Sequence, residues 1–405
     1  MQQRPLGRTG VSVSQLCLGA MMFGAHGNSD HDDSIRIIHR ALDAGINFID
    51  TADAYSAGES EVIVGKALAG GRRDNVILAT KVLMPMGDDA NQRGISRRWI
   101  TTEVENSLRR LGTDWIDVYQ IHRPDPATDI DETLGVLSDL VHQGKVRYLG
   151  HSTFPASEIV EAQWTAERRG RERFRTEQPP YSILTRAIEH DVLPTCQRYG
   201  MGVMTYSPLA MGWLSGHYRK DREIAGPGSP ARRQRFPERY DLSLPVNQRK
   251  LDAAEALGVL ADKAGMSLVQ MAIAFVTQHP AVTAAIIGPR TMEHLESQLD
   301  AADVTLSDEI LDQIDEIVPP GVTINPATTC RSAPPSPRPS AGDEPDRHAR
   351  AHGGTCLYRH PVFTQWASSA KRRRPRFSFH KGPGLRGSRF RFRNLAQKTF
   401  DLEKP

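Results

Sequence analysis

Between about residue 13 and residue 318 the chain repeats one device eight times: a short apolar or β-branched run, then a stretch of helical period. The runs expected as strands are Val13–Gly19, Asn47–Ala52, Asn75–Val82, Trp115–His122, Val146–His151, Arg173–Gln178, Gly202–Ser207 and Thr283–Gly288. The stretches between them carry helix signals. Asp32 and Asp33 stand where a helix start favours negative charge, Ile35, Ile38 and Leu42 share one face, and Gly45 ends it. Ile100, Val104, Leu108 and Leu111 share a second face before Gly112, and Leu134, Leu137 and Val141 a third before Gly144. Val269, Ala272, Ile273 and Val276 mark a further helix, closed by Pro280. Strands that alternate with helices pair in parallel, because each helix carries the chain back to the end where the last strand began. Eight such units in about 300 residues predict an α/β chain closed into a (β/α)8 (TIM) barrel, with a short N-terminal hairpin before it.

That architecture says where chemistry belongs: at, or just past, the C-terminal ends of the strands. The second strand ends in Ile49-Asp50-Thr-Ala-Asp-Ala-Tyr55, the third in Ala79-Thr80-Lys81, and the fourth in Gln120-Ile121-His122. On a barrel, Asp50, Tyr55, Lys81 and His122 can converge on one pocket. Each has a bland alternative: a solvated lysine, a packed tyrosine, a core histidine. Together at one barrel face they suit proton donation to a carbonyl oxygen. A free phenol, with a pKa of about 10, is a weak acid at neutral pH. A neighbouring ammonium lowers that value by favouring the phenolate. Asp50 would hold Lys81 charged and in place, and His122 could orient the carbonyl. No side chain supplies the matching hydride, so a nicotinamide cofactor is implied.

Three segments are long and specific: Asn47-Phe-Ile-Asp-Thr-Ala-Asp-Ala-Tyr55, Ser107-Leu-Arg-Arg-Leu-Gly-Thr-Asp-Trp-Ile-Asp-Val-Tyr-Gln-Ile-His122, and Tyr206-Ser-Pro-Leu-Ala-Met-Gly-Trp-Leu-Ser-Gly216. They resemble the aldo-keto reductase superfamily, and the resemblance runs from Leu6 to about Asn325. Leu18-Gly-Ala-Met-Met-Phe-Gly24 and the region of Arg290 resemble the branch that holds aryl-alcohol dehydrogenase-like enzymes and potassium-channel β subunits. The resemblance implies a barrel that reduces aldehydes and ketones with NADPH. It puts the family's catalytic tetrad on Asp50, Tyr55, Lys81 and His122, with Tyr55 as general acid.

No Gly-x-Gly-x-x-Gly follows a strand within residues 1–320, and the one match, Gly382-Pro-Gly384-Leu-Arg-Gly387, has no helix after it. A barrel can instead hold phosphate in the loops after strands seven and eight. Those loops are Ser207-Pro-Leu-Ala-Met-Gly212 and Gly288-Pro-Arg290. By resemblance, Tyr206 stacks on the nicotinamide, Ser152 and Gln178 bind its carboxamide, and Ser207 and Leu209 bind the pyrophosphate. Gly288, Arg290, His294 and Gln298 would hold the adenosine end, and the Arg290 guanidinium suits a 2′-phosphate, which favours NADPH. Thr153, His294, Gln298 and His217 stand where the family more often has Asn, Gln, Asn and Lys; these departures bear on cofactor affinity and not on the tetrad. Met21 after the first strand, Met84 after the third and Trp213 at the head of a long loop are expected to line a tolerant, mostly apolar substrate pocket, with Tyr55 and His122 at its base. That loop is expected to run to about Asn247, with Phe236 and Tyr240 able to close over an apolar substrate.

Charge divides the chain. Residues 321–405 hold 17 Lys+Arg against 5 Asp+Glu, while residues 1–320 hold 34 against 43. The expected division is a barrel over residues 1–326 and a basic, Pro- and Arg-rich tail over 327–405, disordered because it buries too little apolar surface to offset chain entropy. Phe377, Phe379, Phe390 and Phe392 interleave with arginines in a way that could suit nucleic acid, but composition favours a bare extension. Four scattered cysteines, no His-Glu-x-x-His and no apolar run of about 18 residues point away from a disulfide framework, a local metal site and a membrane span. Met1 to Gly10 shows no apolar leader, so a cytoplasmic, reducing location is expected. The expected partner is a small aldehyde or ketone. Two other functions fit the residues less well: a redox-sensing module that binds NADPH with little turnover, and an aldolase that forms a Schiff base on Lys81.

Overall fold

The computed structural model describes residues 1–216, 218 and 236–328. Strands β1 (Gln3–Pro5) and β2 (Ser12–Ser14) form an antiparallel hairpin with Arg4 opposite Val13. Eight parallel strands follow: β3 (Leu16–Gly19), β4 (Phe48–Asp50), β5 (Ile77–Val82), β6 (Ile116–Ile121), β7 (Val146–Ser152), β8 (Phe174–Gln178), β9 (Gly202–Tyr206) and β10 (Ala284–Ile287). Each pairs with its neighbour in the chain, and β10 closes on β3 with Ile286 opposite Cys17. The expected barrel is present, one strand to each expected run. The first run splits: Val13 belongs to the hairpin and Leu16–Gly19 to the barrel. The break falls at Gln15, just after Ser14, whose amide donates to the Asn47 side chain at 2.7 Å.

The core has two layers, which follow from the two faces of each strand. Inside the barrel, Cys17, Phe48, Ala79, Val118, Met204 and Ala284 pack together with Leu6 and Val13 from the hairpin. Outside it, Leu16, Leu18, Ile49, Leu78 and Ile116 meet the apolar faces of the helices, among them Ile37, Ile38, Val104 and Leu134. The hairpin thus plugs the end of the barrel where the strands begin. The fit is tight there: Gly7 has a φ of 55°, and a Cβ on it would lie 2.5 Å from the Gly202 nitrogen, so only glycine is accommodated.

The surrounding helices start and stop as their caps direct. The helix Arg97–Leu111 begins where the Ser96 hydroxyl accepts from the Trp99 amide and stops at left-handed Gly112. Ser267 and Gln270 form a reciprocal capping box at Leu268–Gln278. The loop expected from Trp213 to Asn247 ends sooner than that. Residues 217 and 219–235 lie outside the described residues, but a turn of helix forms at Pro237–Tyr240 and a long helix starts at Pro245 (Pro245–Lys263). Proline is favoured at a first helical turn, where its missing N–H costs nothing. Asn247 is buried in that helix and donates to the carbonyls of Glu238 and Asp241, at 3.2 and 2.9 Å. The expected disordered tail falls, from residue 329 onward, outside the described residues. Among the described residues no single helix is long and apolar enough to cross a membrane.

Candidate active site

The C-terminal strand ends bring the four expected groups together. Asp50 ends β4, Lys81 lies one residue before the end of β5, and His122 stands one residue past β6. The Lys81 ammonium donates to Asp50 Oδ2 at 2.5 Å, to the Thr51 carbonyl at 2.8 Å and to the Tyr55 hydroxyl at 3.3 Å. The Tyr55 and His122 rings meet edge to face, with centroids 5.7 Å apart. Tyr55 opens a tight turn in which Ser56 and Ala57 hold left-handed φ angles of 50° and 55°. Such angles cost a non-glycine residue on the order of 1–3 kcal/mol. The turn is held from outside: the Ser56 amide donates to His26 Nδ1 at 3.1 Å, and its hydroxyl donates to the Phe23 carbonyl at 3.2 Å.

A second set of side chains braces Asp50 from across the barrel. Its Oδ1 accepts from Gln120 at 3.0 Å and from Gln178 at 2.8 Å, and Gln178 also donates to Gln120 at 3.2 Å. The Ser152 hydroxyl donates to the Gln178 carbonyl at 2.8 Å. Ser152, Gln178 and Tyr206 end β7, β8 and β9, so these expected cofactor residues share the mouth with the tetrad. The Tyr206 ring is half-buried. Beside it lies Arg123, which donates to the Tyr206 hydroxyl at 3.3 Å and also to the Thr153 hydroxyl.

The electrostatics depart from the sequence expectation in one respect. Burial pushes the Tyr55 phenol above its usual value; Lys81 pulls it down, but less. The Tyr55 phenol therefore stays protonated through the neutral range. Burial works to strip the proton from Lys81, yet the charge of Asp50 and the two side-chain hydrogen bonds outweigh it and hold the ammonium above its ordinary value. Asp53 was not singled out by sequence. Burial, then the charges of Glu61 and Glu103, push its carboxyl well above the carboxylate range. One of its oxygens accepts from the Ala54 amide at 2.6 Å, and the other has no partner among the described residues.

Two loops at the same mouth carry the remaining cofactor candidates. After β9, Ser207, Ala210 and Met211 all hold left-handed φ angles, between 49° and 60°. Three such residues within five positions make a costly turn that the surrounding fold imposes. Leu209 sits half-buried in it. After β10, Gly288 and Arg290 are exposed, and the Arg290 guanidinium has no acidic partner among the described residues. Thr291 then caps the helix Met292–Leu299 by accepting from the His294 amide, and Gln298 is buried in that helix.

Of the residues expected around substrate, Tyr55 and His122 meet at the mouth, and the other three differ in exposure. Met21 is 38% exposed beyond β3, and Met84 is half-buried beyond β5. Trp213 is buried in the wall: its ring stacks on Tyr240 at 6.5 Å, and the Lys250 ammonium lies 4.3 Å from its ring centre. Tyr240 is buried as well, so these two rings pack against each other. Sequence reasoning also missed Gln120, which lies within the segment ending at His122, and Arg123, which follows it directly.

A family model, the aldo/keto reductase family, matches residues 15–319. The chain is 40% identical over 329 residues to an uncharacterized oxidoreductase of Bacillus subtilis, covering 79% of this chain and 96% of that one. It is 34% identical to a probable voltage-gated potassium channel subunit beta of Oryza sativa subsp. japonica, covering 78% and 97%. It is 32% identical to the versiconal hemiacetal acetate reductase of Aspergillus parasiticus, covering 78% and 96%.

Proposed function

The chain belongs to the aldo/keto reductase family, and on that premise we propose that it reduces aldehydes and ketones to alcohols with NADPH, taking the proton from Tyr55. The observation that carries this reading is the buried chain from Asp50 through Lys81 to the Tyr55 hydroxyl, with His122 beside it at the open end of the barrel. Family membership supports a small carbonyl compound as substrate.

The residues fit the dinucleotide. Arg290 is an exposed guanidinium with no acidic partner among the described residues. It sits next to a helix start, where backbone N–H groups favour an anion. A Cβ on neighbouring Gly288 would meet nothing within 4 Å, so the approach to it is open. Arg290, with Gly288, His294 and Gln298, would hold the adenosine 2′-phosphate end; Ser207 and Leu209 the pyrophosphate; Tyr206, Ser152 and Gln178 the nicotinamide. The bound nicotinamide supplies the hydride.

The protein supplies the rest. Tyr55 donates its proton to the carbonyl oxygen as that oxygen gains negative charge. The phenolate left behind is stabilised by Lys81, whose charge Asp50 maintains. His122 donates a hydrogen bond that orients the carbonyl. General-acid catalysis of this kind contributes about 10²–10⁴-fold. Tyr55→Phe is therefore expected to keep NADPH affinity and to lose kcat by that order, followed at 340 nm over a panel of aromatic aldehydes. Unchanged turnover would remove Tyr55 from the role. A second reading, a redox-sensing module that binds NADPH with little turnover, draws on the relatives named as channel β subunits. Wild-type turnover as slow as that of Tyr55→Phe would favour it.

A further inference from the structure

Arg123 is a charged side chain at the mouth that the reduction chemistry leaves unused. It follows His122 directly, and its half-buried guanidinium runs past the end of β7 to β9. There it donates to the Thr153 and Tyr206 hydroxyls and lies 5.6 Å from the centre of the Tyr206 ring. Among the described residues no carboxylate lies within ion-pair reach of it. Three other part-buried arginines, Arg73, Arg110 and Arg186, each hold carboxylates at 2.5–2.8 Å, while Arg4, which also lacks one, is taken up by two backbone carbonyls and two amide oxygens away from the mouth. The nearby acids are already engaged. Asp50 is bound by Lys81, Gln120 and Gln178, and Asp125 accepts from the Ala127 amide and the Thr128 hydroxyl of its own loop. Neutral hydroxyls are weak partners for a guanidinium, whose planar fork matches a carboxylate.

The position of the guanidinium says what it would meet. The carbonyl oxygen of a substrate must reach Tyr55 and His122, while its carbon must face the nicotinamide on the Tyr206 side. A group adjacent to His122 that touches Tyr206 borders the remainder of that substrate. We propose that Arg123 binds a carboxylate carried by the substrate, so that the preferred substrates are aldehydes or ketones bearing an anionic group. The inference rests on the carbonyl-reductase reading.

The test compares ortho-, meta- and para-carboxybenzaldehyde with their methyl esters, at saturating NADPH, in the full-length enzyme. The wild type should have the higher kcat/KM on at least one acid over its ester. Arg123→Met should lower that acid-to-ester ratio about tenfold or more, the scale of a hydrogen bond to a charged group, mainly through KM. Arg123→Lys should restore part of it, since it keeps the charge and loses the fork. A wild-type preference for every ester, or a ratio that Arg123→Met leaves unchanged, overturns the proposal. So does a tenfold loss of NADPH affinity in Arg123→Met with the ratio intact, because the anion would then be a phosphate of the dinucleotide. Reduction of the esters by the wild type keeps the carbonyl-reductase reading standing whatever happens to Arg123; no reduction of any compound sinks both.

Discussion

Asp53 shows how much the site depends on burying charge. Its carboxyl holds its proton to higher pH in the fold, because burial and then the neighbouring Glu61 and Glu103 disfavour the anion. In the unfolded chain the same group ionises near pH 4. The folded state therefore holds a proton that the unfolded state releases. The contribution of Asp53 to stability is full below about pH 4 and drains away as the pH rises above it. Asp53→Asn removes that drain, and an amide oxygen can still accept from the Ala54 amide. Thermal scans should show the variant gaining on the wild type as the pH rises above about 4, and parallel curves would contradict this account. The tetrad was legible in sequence because strand-end positions follow from the repeat. The balance at Tyr55 was not, because spacing places Lys81 near the phenol but says nothing of how deeply the phenol is buried. Arg123 was missed for a related reason: a long side chain reaches where its neighbours let it, here to hydroxyls on two other strand ends.

Among the elements, the loops after β9 and β10 carry the cofactor argument. The turn with left-handed Ser207, Ala210 and Met211 is set by the fold, and the exposed Arg290 guanidinium, with no acidic partner among the described residues, stands just before the helix Met292–Leu299. Arg290→Ala should weaken NADPH binding about tenfold or more and leave NADH nearly unchanged, because a hydrogen-bonded phosphate–guanidinium pair is lost only with the phosphorylated cofactor. Equal losses for both cofactors in a fluorescence titration would place Arg290 elsewhere. Elements with a clear period were read correctly from sequence, as at Ile77–Val82 and Arg97–Leu111. The error came where prolines fell: Pro237 and Pro245 look like breakers, yet each occupies a first helical turn, so the expected loop is partly helix. The division at Gln15 was equally hidden, and the side chain that meets the chain beside it, Asn47 at the Ser14 amide, lies 33 residues away in sequence.

For the molecule as a whole, barrel closure is what makes a site from scattered residues. Pairing β10 with β3 brings residues 285–287 against residues 16–18, and all eight strands then end at one mouth. The hairpin and the interior cluster around Leu6 and Phe48 fill the other end, which leaves that mouth as the place for chemistry. Counting repeats was enough to foresee this, because eight parallel units of ordinary length close on themselves. The measurement that tests the central claim most directly follows the hydride itself. Wild-type protein is given NADPH carrying deuterium at both C4 positions with an aromatic aldehyde in ordinary water, and the alcohol is read by mass spectrometry. The account predicts one deuterium on the carbinol carbon and none on the oxygen after workup. Alcohol without carbon-bound deuterium, or no alcohol at all across a broad aldehyde panel, would contradict it.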